Sequence, residues 1–404
     1  MFNKVLVVAL ALSSSVFGLA PLKFEAQGSQ PVKGGYIVVL RDNVKNVDAH
    51  VTRVKKVVDD HNAKLVSAQS ADKSEIKHVY QAALRGYAGK FSDDVLAKIR
   101  ADPEVDYVEQ DGVVKIKDQQ DGAPWGLGRI SSHSSVSDPA TYFYNGIAGT
   151  GVKIFVVDTG IRVTHQEFGG RAVWGANFAG DGDDSDGNGH GTHVSGTAAG
   201  STYGVSKNAN LVAVKVLDAG GSGTWSGVVA GINWVASEHK AGRGGSKGSV
   251  ISMSLGGGKS TTVNTAASNA VKAGVHVAVA AGNESQDACN VSPASASGVL
   301  CMAASDVSDT FADFSNYGRC VKMIGPGVDV LSSWNTDDTA TNTISGTSMS
   351  TPHASGMIAY LLSLSSSSLT PAAMITKIQS TATNNAISSV PSGTPNKLLY
   401  NSFN

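Results

Sequence analysis

The sequence has almost no net charge, few aromatic residues and few cysteines. Its 32 Lys and Arg residues nearly balance 33 Asp and Glu residues, which leaves a formal charge of −1. A nucleic-acid-binding protein is expected to carry a basic face, so this balance argues against that class. The aromatic share of 6% is ordinary for a soluble globular protein. Three cysteines, an odd number, leave one thiol unpaired unless it bridges to another chain.

Long hydrophobic runs are absent beyond the N-terminus. No later run approaches the ~20 apolar residues that a membrane helix needs, which argues against a spanning segment. At the start, Lys4 precedes an apolar stretch over residues 5–12, and small residues end it near Ala20. This layout predicts a secretory signal over residues 1–20, with Pro21 leaving the cleavage position open. The alternative is a buried N-terminal strand. We expect an exported, soluble protein with no membrane or nucleic-acid partner.

Charge density changes sharply near residue 117. Residues 34–117 carry 27 charged side chains in 84 positions, whereas residues 118–404 carry 34 in 287. A chain of 404 residues is long enough for two domains. The shift therefore predicts a domain boundary, with the polar stretch VKIKDQQDGAP as an exposed linker.

The first domain, residues 34–117, has the element order of a small α+β module. YIVVL is typical of a strand, and VDAHVTRVKKVVDDHN has valines at helical spacing. Residues 76–91 look extended, Ser92 is a candidate N-cap for a second helix ending at Pro103, and VDYVEQ is a returning strand. This β-α-β-β-α-β order predicts a split βαβ, ferredoxin-like arrangement. It holds no reactive constellation, so alone it indicates a small binding or inhibitory module.

The second domain, residues 118–404, alternates apolar runs with amphipathic segments. Continuous apolar strands are typical of a parallel sheet covered on both faces, so we predict a doubly wound, mostly parallel α/β fold. In such sheets the functional groups gather at the carboxyl ends of the strands. Those ends hold Asp158, an SLGGG segment and Asn283. The apolar runs are VKIFVVD (152–158), LVAVKVLD (211–218), VISMSLGG (250–257), VHVAVAAGN (275–283) and VLCMAASD (299–306).

Asp158 in VVDTG is the candidate acid. A carboxylate at the end of a buried strand must be paired or hydrogen-bonded, because burying it alone is costly. The letters DTG also occur in aspartic proteases, which need two such carboxylates. The sequence holds no second DTG or DSG, which argues against that class.

His190 and His193 lie three positions apart in DSDGNGHGTHVSGTAAG. A zinc site would need a third and usually a fourth ligand of suitable kind. The acidic run 181–186 could bind a hard cation such as calcium, or be a solvated surface loop. We interpret His190, which follows the glycine-rich entry, as facing a cleft, and His193 as a packed residue.

Ser348 in SGTSMSTPHASG is the candidate nucleophile. It lies at the predicted start of a helix, whose free N–H groups can stabilise a developing anion. Pro352 within the next turn is unusual, because a proline past the first turn kinks a helix. Asn283 is a candidate donor to the same anion, or else a turn residue or glycosylation acceptor in N-E-S. The G-x-S-x-G elbow of lipase-type hydrolases is absent around Ser348.

Asp158, His190 and Ser348 have the chemical types of an oriented base and its nucleophile. The blocks VVDTG, DGNGHGTHVSGT, AAGN and GTSMSTPH occur in this order. Together they resemble the subtilisin-like serine proteases (subtilases), most closely the proteinase K group. APWGLGRISS resembles the start of the mature enzyme there, and residues 34–117 resemble the inhibitor I9 propeptide.

The resemblance implies a role for each candidate residue. Asp158 orients His190, His190 is the general base and acid, Ser348 attacks the peptide carbonyl, and Asn283 with the Ser348 N–H forms the oxyanion hole. Gly221–Gly223 and Ser254–Gly256 match the two segments that hold the substrate as an added strand. Trp225 matches an aromatic residue in the wall of a pocket. The small, uncharged walls Ser254–Gly256 and Ala280–Gly282 predict broad specificity, with apolar or aromatic residues favoured before the cut bond. The implied substrate-binding residues are Gly221, Ser222, Gly223, Trp225, Ser254, Leu255, Gly256, Ala281 and Gly282.

The resemblance also bears on cysteines and metals. Cys289 and Cys320 match a disulfide of bacterial relatives, whereas Cys301 has no matching partner. Lys322 stands where the proteinase K group has a calcium-binding aspartate, so we expect that site to hold the Lys322 ammonium, bonded to carbonyls, instead of an ion. No cofactor is expected for the chemistry, no metal ligand is assigned, and structural calcium elsewhere is left open.

The sequence thus predicts a secreted, monomeric serine endopeptidase made as a signal–propeptide–catalytic precursor. Its partners would be polypeptide substrates and its own propeptide, which would be cut near Lys117. The alternative is an inactive relative that serves as a binding module; all triad members are present, which argues against it.

Overall fold

The computed structural model describes residues 19–23, 31–65, 73–112 and 118–403. Nearly all of the predicted signal segment, and the predicted linker up to residue 117, lie outside these ranges. The chain separates into one compact unit that reaches to Lys115 and a second from Ile116 to Phe403. Within the described ranges, no helix is long and apolar enough to cross a membrane.

The first unit is an antiparallel sheet with two helices, as predicted. The strand order is β1-β5-β2-β4-β3; β2 is antiparallel to β4 and β5, and β1 adds in parallel at one edge. Valines at every third or fourth position turn the first helix toward the sheet, and Ser92 caps the second helix through the N–H of Val95. The elements are β1 Leu22–Lys23, β2 Pro31–Leu40, α1 Val47–Asn62, β3 Glu75–Tyr80, β4 Gly86–Lys90, α2 Asp93–Arg100 and β5 Val105–Gly112.

The second unit is built on a nine-stranded sheet in the order β19-β20-β16-β15-β13-β11-β8-β10-β9. Every pairing within it is parallel except β19 with β20, which confirms the mostly parallel α/β fold. The strands of the unit are β6 Asp118–Ala123, β7 Ala140–Tyr144, β8 Val152–Asp158, β9 Ala172–Asn177, β10 Asn210–Lys215, β11 Gly248–Met253, β12 Gly257–Gly258, β13 His276–Ala280, β14 Val291–Ser292, β15 Leu300–Ser305, β16 Met323–Pro326, β17 Val330–Ser333, β18 Thr341–Ile344, β19 Thr383–Asn384 and β20 Lys397–Leu398.

Helices cover both faces of this sheet. Along β8, Ile154 and Val156 join the core under α4 and α7, while Phe155 and Val157 join the core under α5 and α6. This alternation is the two-residue period of a strand buried on both sides. The helices are α3 Trp125–Arg129, α4 His190–Ala199, α5 Trp225–Lys240, α6 Thr261–Lys272, α7 Thr347–Leu364 and α8 Pro371–Thr381.

A disulfide joins Cys289 to Cys320, the pair that the resemblance implies. Their Cα atoms lie 5.4 Å apart, within the usual range for a disulfide. Cys301 is a free thiol inside β15, and burial raises its pKa to about 12. The unpaired cysteine is therefore an inert core residue.

Candidate active site

Three neighbouring strands deliver the candidate residues to one edge of the sheet. β11 pairs with β8 on one side and β13 on the other. Asp158 is the last residue of β8, Ser254 directly follows β11, and Asn283 lies three residues beyond β13. Because all three strands are parallel, these residues emerge at the same carboxyl edge.

Asp158 and His190 are hydrogen-bonded to each other. His190 Nδ1 lies 2.7 Å from Asp158 Oδ1, and the Thr159 N–H donates to the same oxygen at 2.8 Å. The Asp158 side chain is fully buried, whereas that of His190 is 24% exposed. The carboxylate therefore fixes one nitrogen of the ring and leaves the other edge of the ring toward the cleft.

Opposing effects set the pKa of His190. Burial disfavours the imidazolium, but the charge of Asp158 and its hydrogen bond favour it and raise the pKa above 6.5. His193 differs: burial lowers its pKa to about 4, and its Nε2 donates to the carbonyl of Val330 at 3.0 Å. The structure thus packs His193 in the core and puts His190 at the cleft, as predicted for the two rings.

A buried carboxylate holds the entry to α4. Asp186 Oδ1 accepts from the Thr159 hydroxyl and the Gly189 N–H, each at 2.8 Å, and Oδ2 accepts from the N–H of Thr192 at 2.9 Å. A carboxylate is favourable beside the free N–H groups of a helix N-terminus. Asp186 therefore fixes the turn that aims His190. In the sequence, Asp186 is only one member of an acidic run.

Ser348 is the second residue of α7, and Pro352 lies inside the same helix. A proline has no N–H, so the carbonyl four residues before it, that of Ser348, loses its usual helical partner. The hydroxyl of Ser254 donates to this carbonyl at 2.7 Å. The hydroxyl of Ser348 in turn donates to the carbonyl of Ser254 at 3.1 Å.

Asn283 is anchored to the same helix start. Its Oδ1 accepts from the N–H and the hydroxyl of Thr347 at 2.8 and 2.9 Å. This orientation leaves Nδ2 to face the helix start. A Cβ built on Gly346 would lie 3.6 Å from both Asn283 Nδ2 and the Ser348 nitrogen. Two N–H donors therefore surround one point beside the candidate nucleophile, which suits an oxyanion.

Two cavities flank this edge and share the wall Ser254–Gly256. The larger, about 480 Å³, holds His190 on its lining. Gly221, Ser222 and Gly223, which the resemblance implies for one substrate-holding segment, line it. The half-exposed indole of Trp225 also lines it and packs against Gly257. Sequence reasoning missed the other residues on its lining, which are Thr159, Asn188, Leu217, Thr224 and Val228.

The smaller cavity, about 160 Å³, holds Ser348 and Asn283 on its lining. Gly282 lines it as expected, but Ala281 is fully buried in the core. Its wall also contains Glu284, so the expectation of an uncharged wall is wrong. The letters N-E-S match a sequon, but they also place a carboxylate beside Asn283.

A lysine ammonium contacts oxygen atoms near each candidate calcium position. Lys322 Nζ donates to one carbonyl, that of Arg319, at 3.3 Å, whereas the resemblance predicts bonds to several carbonyls. In the acidic loop, the buried Lys215 ammonium lies 3.1 Å from Asp181 Oδ2. In the acidic loop a lysine ammonium thus shares a carboxylate that a calcium ion could also use.

Among the described residues, three potential metal ligands come together only in the first unit, at His50, Asp102 and Glu104. His50 Nδ1 is 2.8 Å from Glu104 Oε2, and the guanidinium of Arg53 also binds Glu104. A cation of the chain thus already compensates this cluster, and we assign no metal to it.

Residues 149–397 match the Subtilase family model, and residues 35–117 match Peptidase inhibitor I9. The chain belongs to the subtilase family. It is 46% identical to a cuticle-degrading serine protease of Arthrobotrys oligospora, over 91% of this chain and 90% of that protein. It is 42% identical to alkaline protease 2 of Aspergillus fumigatus, over 95% of this chain and 84% of that protein.

A crystal structure of a cold adapted subtilisin-like serine proteinase is similar to this subtilase, with a TM-score of 0.65 and 45% identity. The similarity covers 69% of this chain and 98% of that one. The protein is accordingly a serine endopeptidase with an I9 propeptide domain. Subtilases need no cofactor for the reaction.

Proposed function

We propose that Asp158, His190 and Ser348 form the catalytic triad of this subtilase. The observation that carries the proposal is the short Asp158–His190 bond, which leaves the other nitrogen of His190 for the nucleophile. For the reaction, the Ser348 hydroxyl must turn from the carbonyl of Ser254 toward His190 Nε2. This step requires rotation of the Ser348 side chain about its Cα–Cβ bond.

The chemistry then follows in two halves. His190 takes the proton of Ser348 as the oxygen attacks the peptide carbonyl, and the carbonyl oxygen gains the negative charge. His190 returns the proton to the leaving amine, which departs and leaves an acyl ester on Ser348. Water, deprotonated by His190, attacks the ester; His190 then returns that proton to the Ser348 oxygen as the new carboxyl end leaves. Asp158 stays ionised and stabilises the imidazolium in both halves.

Asn283 and the Ser348 N–H are the proposed donors to the oxyanion. Both groups belong to fixed backbone or anchored side chains, so little reorganisation is needed when charge develops. The substrate would lie as an added strand between Gly221–Gly223 and Ser254–Gly256, with its backbone bonded to both. Gly282 would border the pocket for the residue before the cut bond, and Trp225 would border a pocket farther from it.

The proposed precursor has three parts: a signal over residues 1–20, an inhibitory propeptide over 34–117 and a catalytic domain over 118–404. Self-cleavage near Lys117 would release the mature, monomeric enzyme outside the cell. The small side chains that line most of the smaller cavity favour broad specificity toward polypeptides.

A Ser348→Ala variant tests this proposal, because one nucleophile would serve both substrate hydrolysis and self-processing. The variant should not digest casein, and its precursor should keep residues 34–117 attached. The wild-type enzyme should digest casein and lose that activity with a sulfonyl fluoride directed at serine. Normal maturation of the purified variant, with no other protease present, would contradict the assignment.

A further inference from the structure

Asn316 lies directly behind the loop that carries Asn283, and its side chain is fully buried. Its Nδ2 donates to the carbonyl of Ala281 at 2.9 Å and to Glu284 Oε2 at 2.6 Å. Its Oδ1 accepts from the N–H groups of Glu284 and Gln286 at 3.2 and 2.9 Å. The amide thus uses both of its donors and both of its acceptor sites on one short loop.

The backbone of Asn316 adds a fifth bond, from its N–H to the carbonyl of Gly282 at 2.9 Å. Gly282 has a φ of +101°, and a Cβ there would lie 2.3 Å from Asn316 Nδ2. Glycine meets both the left-handed backbone and the close approach of the amide. The bonds from Asn316 therefore fall on residues before and after Asn283, on either side of the proposed oxyanion donor.

Asn283 is consequently held at two levels. Thr347 anchors the side-chain oxygen, whereas Asn316 anchors the backbone on each side. Farther along, backbone bonds from Ser285 N to the Phe314 carbonyl and from Tyr317 N to the Gln286 carbonyl do not involve the Asn316 side chain. Loss of that side chain would loosen the loop near Asn283 and leave the farther part paired.

We infer that Asn316 is a positioning residue, which holds residues 281–286 so that Asn283 Nδ2 meets the developing oxyanion. The inference rests on the proposed function, because it needs Asn283 to act as that donor. A misplacement of about 1 Å can cost roughly 10²-fold in rate. Losing one donor outright, measured in subtilisin itself, costs ~10²–10³ in kcat. We therefore expect Asn316→Ala to lower kcat about 10- to 100-fold with KM nearly unchanged.

The experiment measures kcat and KM on a chromogenic peptide anilide with phenylalanine before the scissile bond, using mature enzyme whose active sites are titrated. Asn316→Asp is the second variant: it keeps the shape but sets a carboxylate against Glu284, and serves if Asn316→Ala does not fold. Asn401→Ala is the matched control. Asn401 is equally buried, and its side chain bonds the carbonyl of Phe143 and the N–H of Phe403.

Both Asn316→Ala and Asn401→Ala should lower the melting temperature, but only the Asn316 variants should lower kcat. Unchanged kcat in the Asn316 variants would overturn the inference, since a purely structural residue predicts only the thermal effect. The decisive comparison repeats Asn316→Ala in an Asn283→Leu background. If Asn316 acts through Asn283, the second change should add little further loss.

The outcomes separate the inference from the proposed function. A full additional loss in the Asn283→Leu background would mean that Asn316 acts through some other group, and would overturn the inference alone. If Asn283→Leu itself leaves kcat unchanged, the oxyanion assignment fails first. A drop in kcat for Asn283→Leu and for Asn316→Ala, without additivity, supports both.

Discussion

Ser254 and Ser348 bond to each other in both directions. The hydroxyl of Ser254 donates to the carbonyl of Ser348, and the hydroxyl of Ser348 donates to the carbonyl of Ser254. The first bond has room to form because Pro352 offers no N–H to the Ser348 carbonyl. The missing N–H of Pro352 thus allows Ser254, in the wall that the two cavities share, to bond to the proposed nucleophile.

Removing the Ser254 hydroxyl should show how much the protein is destabilised when the Ser348 carbonyl has no partner. In Ser254→Ala the partly buried carbonyl of Ser348 loses its partner, so the free energy of unfolding should fall by about 0.5–1.5 kcal/mol. Pro352→Ala restores an N–H at the position that reaches this carbonyl, and should recover part of the loss in the Ser254→Ala background. Denaturant unfolding of the inhibitor-blocked enzyme measures both. Simple addition of the two single effects would contradict the explanation.

The acid limb of the pH profile, where kcat/KM falls as the pH is lowered, should report the protonation of His190. The base must be neutral, so kcat/KM should rise with pH through a pKa above 6.5, the direction that Asp158 imposes. Asp158→Asn removes the carboxylate charge and should move this limb to lower pH, while kcat falls by ~10⁴, the scale known for the same aspartate in subtilisin. His193→Gln is the control: its pKa of about 4 lies outside the limb. A limb that moves with His193 would mean that the wrong ring was assigned.

Glu284 should let the enzyme accept a basic residue before the cut bond. Apolar residues should still be preferred, because the rest of the small cavity is uncharged. An exposed ion pair contributes about 0.2–1 kcal/mol, so Glu284→Gln should lower kcat/KM for a lysine substrate up to about fivefold. The matched phenylalanine substrate should change little. Equal losses on both substrates would show that Glu284 supports the loop rather than the charge of the substrate.

We expect the candidate calcium position at Lys322 to bind no calcium, because the lysine ammonium takes the place of the ion. Melting curves of the mature enzyme with excess EDTA and with millimolar calcium should show no contribution from that position. Lys322→Asp removes the ammonium and supplies a carboxylate ligand, so it should gain calcium-dependent stabilisation that the wild type lacks. Anomalous density from calcium beside residue 322 in the wild type would refute the substitution.

Much of the sheet could be predicted from apolar runs, but the ends of its strands could not. The run over 152–158 coincides with β8, whereas those over 250–257 and 275–283 extend beyond β11 and β13. The residues after these two strands are still small or buried. The hydrophobic pattern therefore shows no change at the position where the backbone leaves the sheet. Ser254–Gly256 and Asn283 lie in the parts of these runs that extend beyond the strands.

Motifs identified the candidate acid, base and nucleophile, but not the residues that hold them. Asn316 contacts its loop across about 30 residues of sequence, and Ser254 contacts Ser348 across 94. Such bonds depend on tertiary proximity, which no local pattern contains. In the sequence Asp186 is one of several acids in a run. Only the structure shows that Asp186 is buried at the start of α4, whereas the other acids of the run are exposed.

The shared wall Ser254–Gly256 has a consequence for redesign of selectivity. The remaining linings come from separate segments, around Trp225 in the large cavity and around Glu284 in the small one. Changes confined to those segments should combine as independent free-energy increments, since they have no lining residue in common. Leu255 belongs to both linings, so an exchange there would alter two side-chain preferences at once. The fold thus offers two separable controls of selectivity and one coupled control.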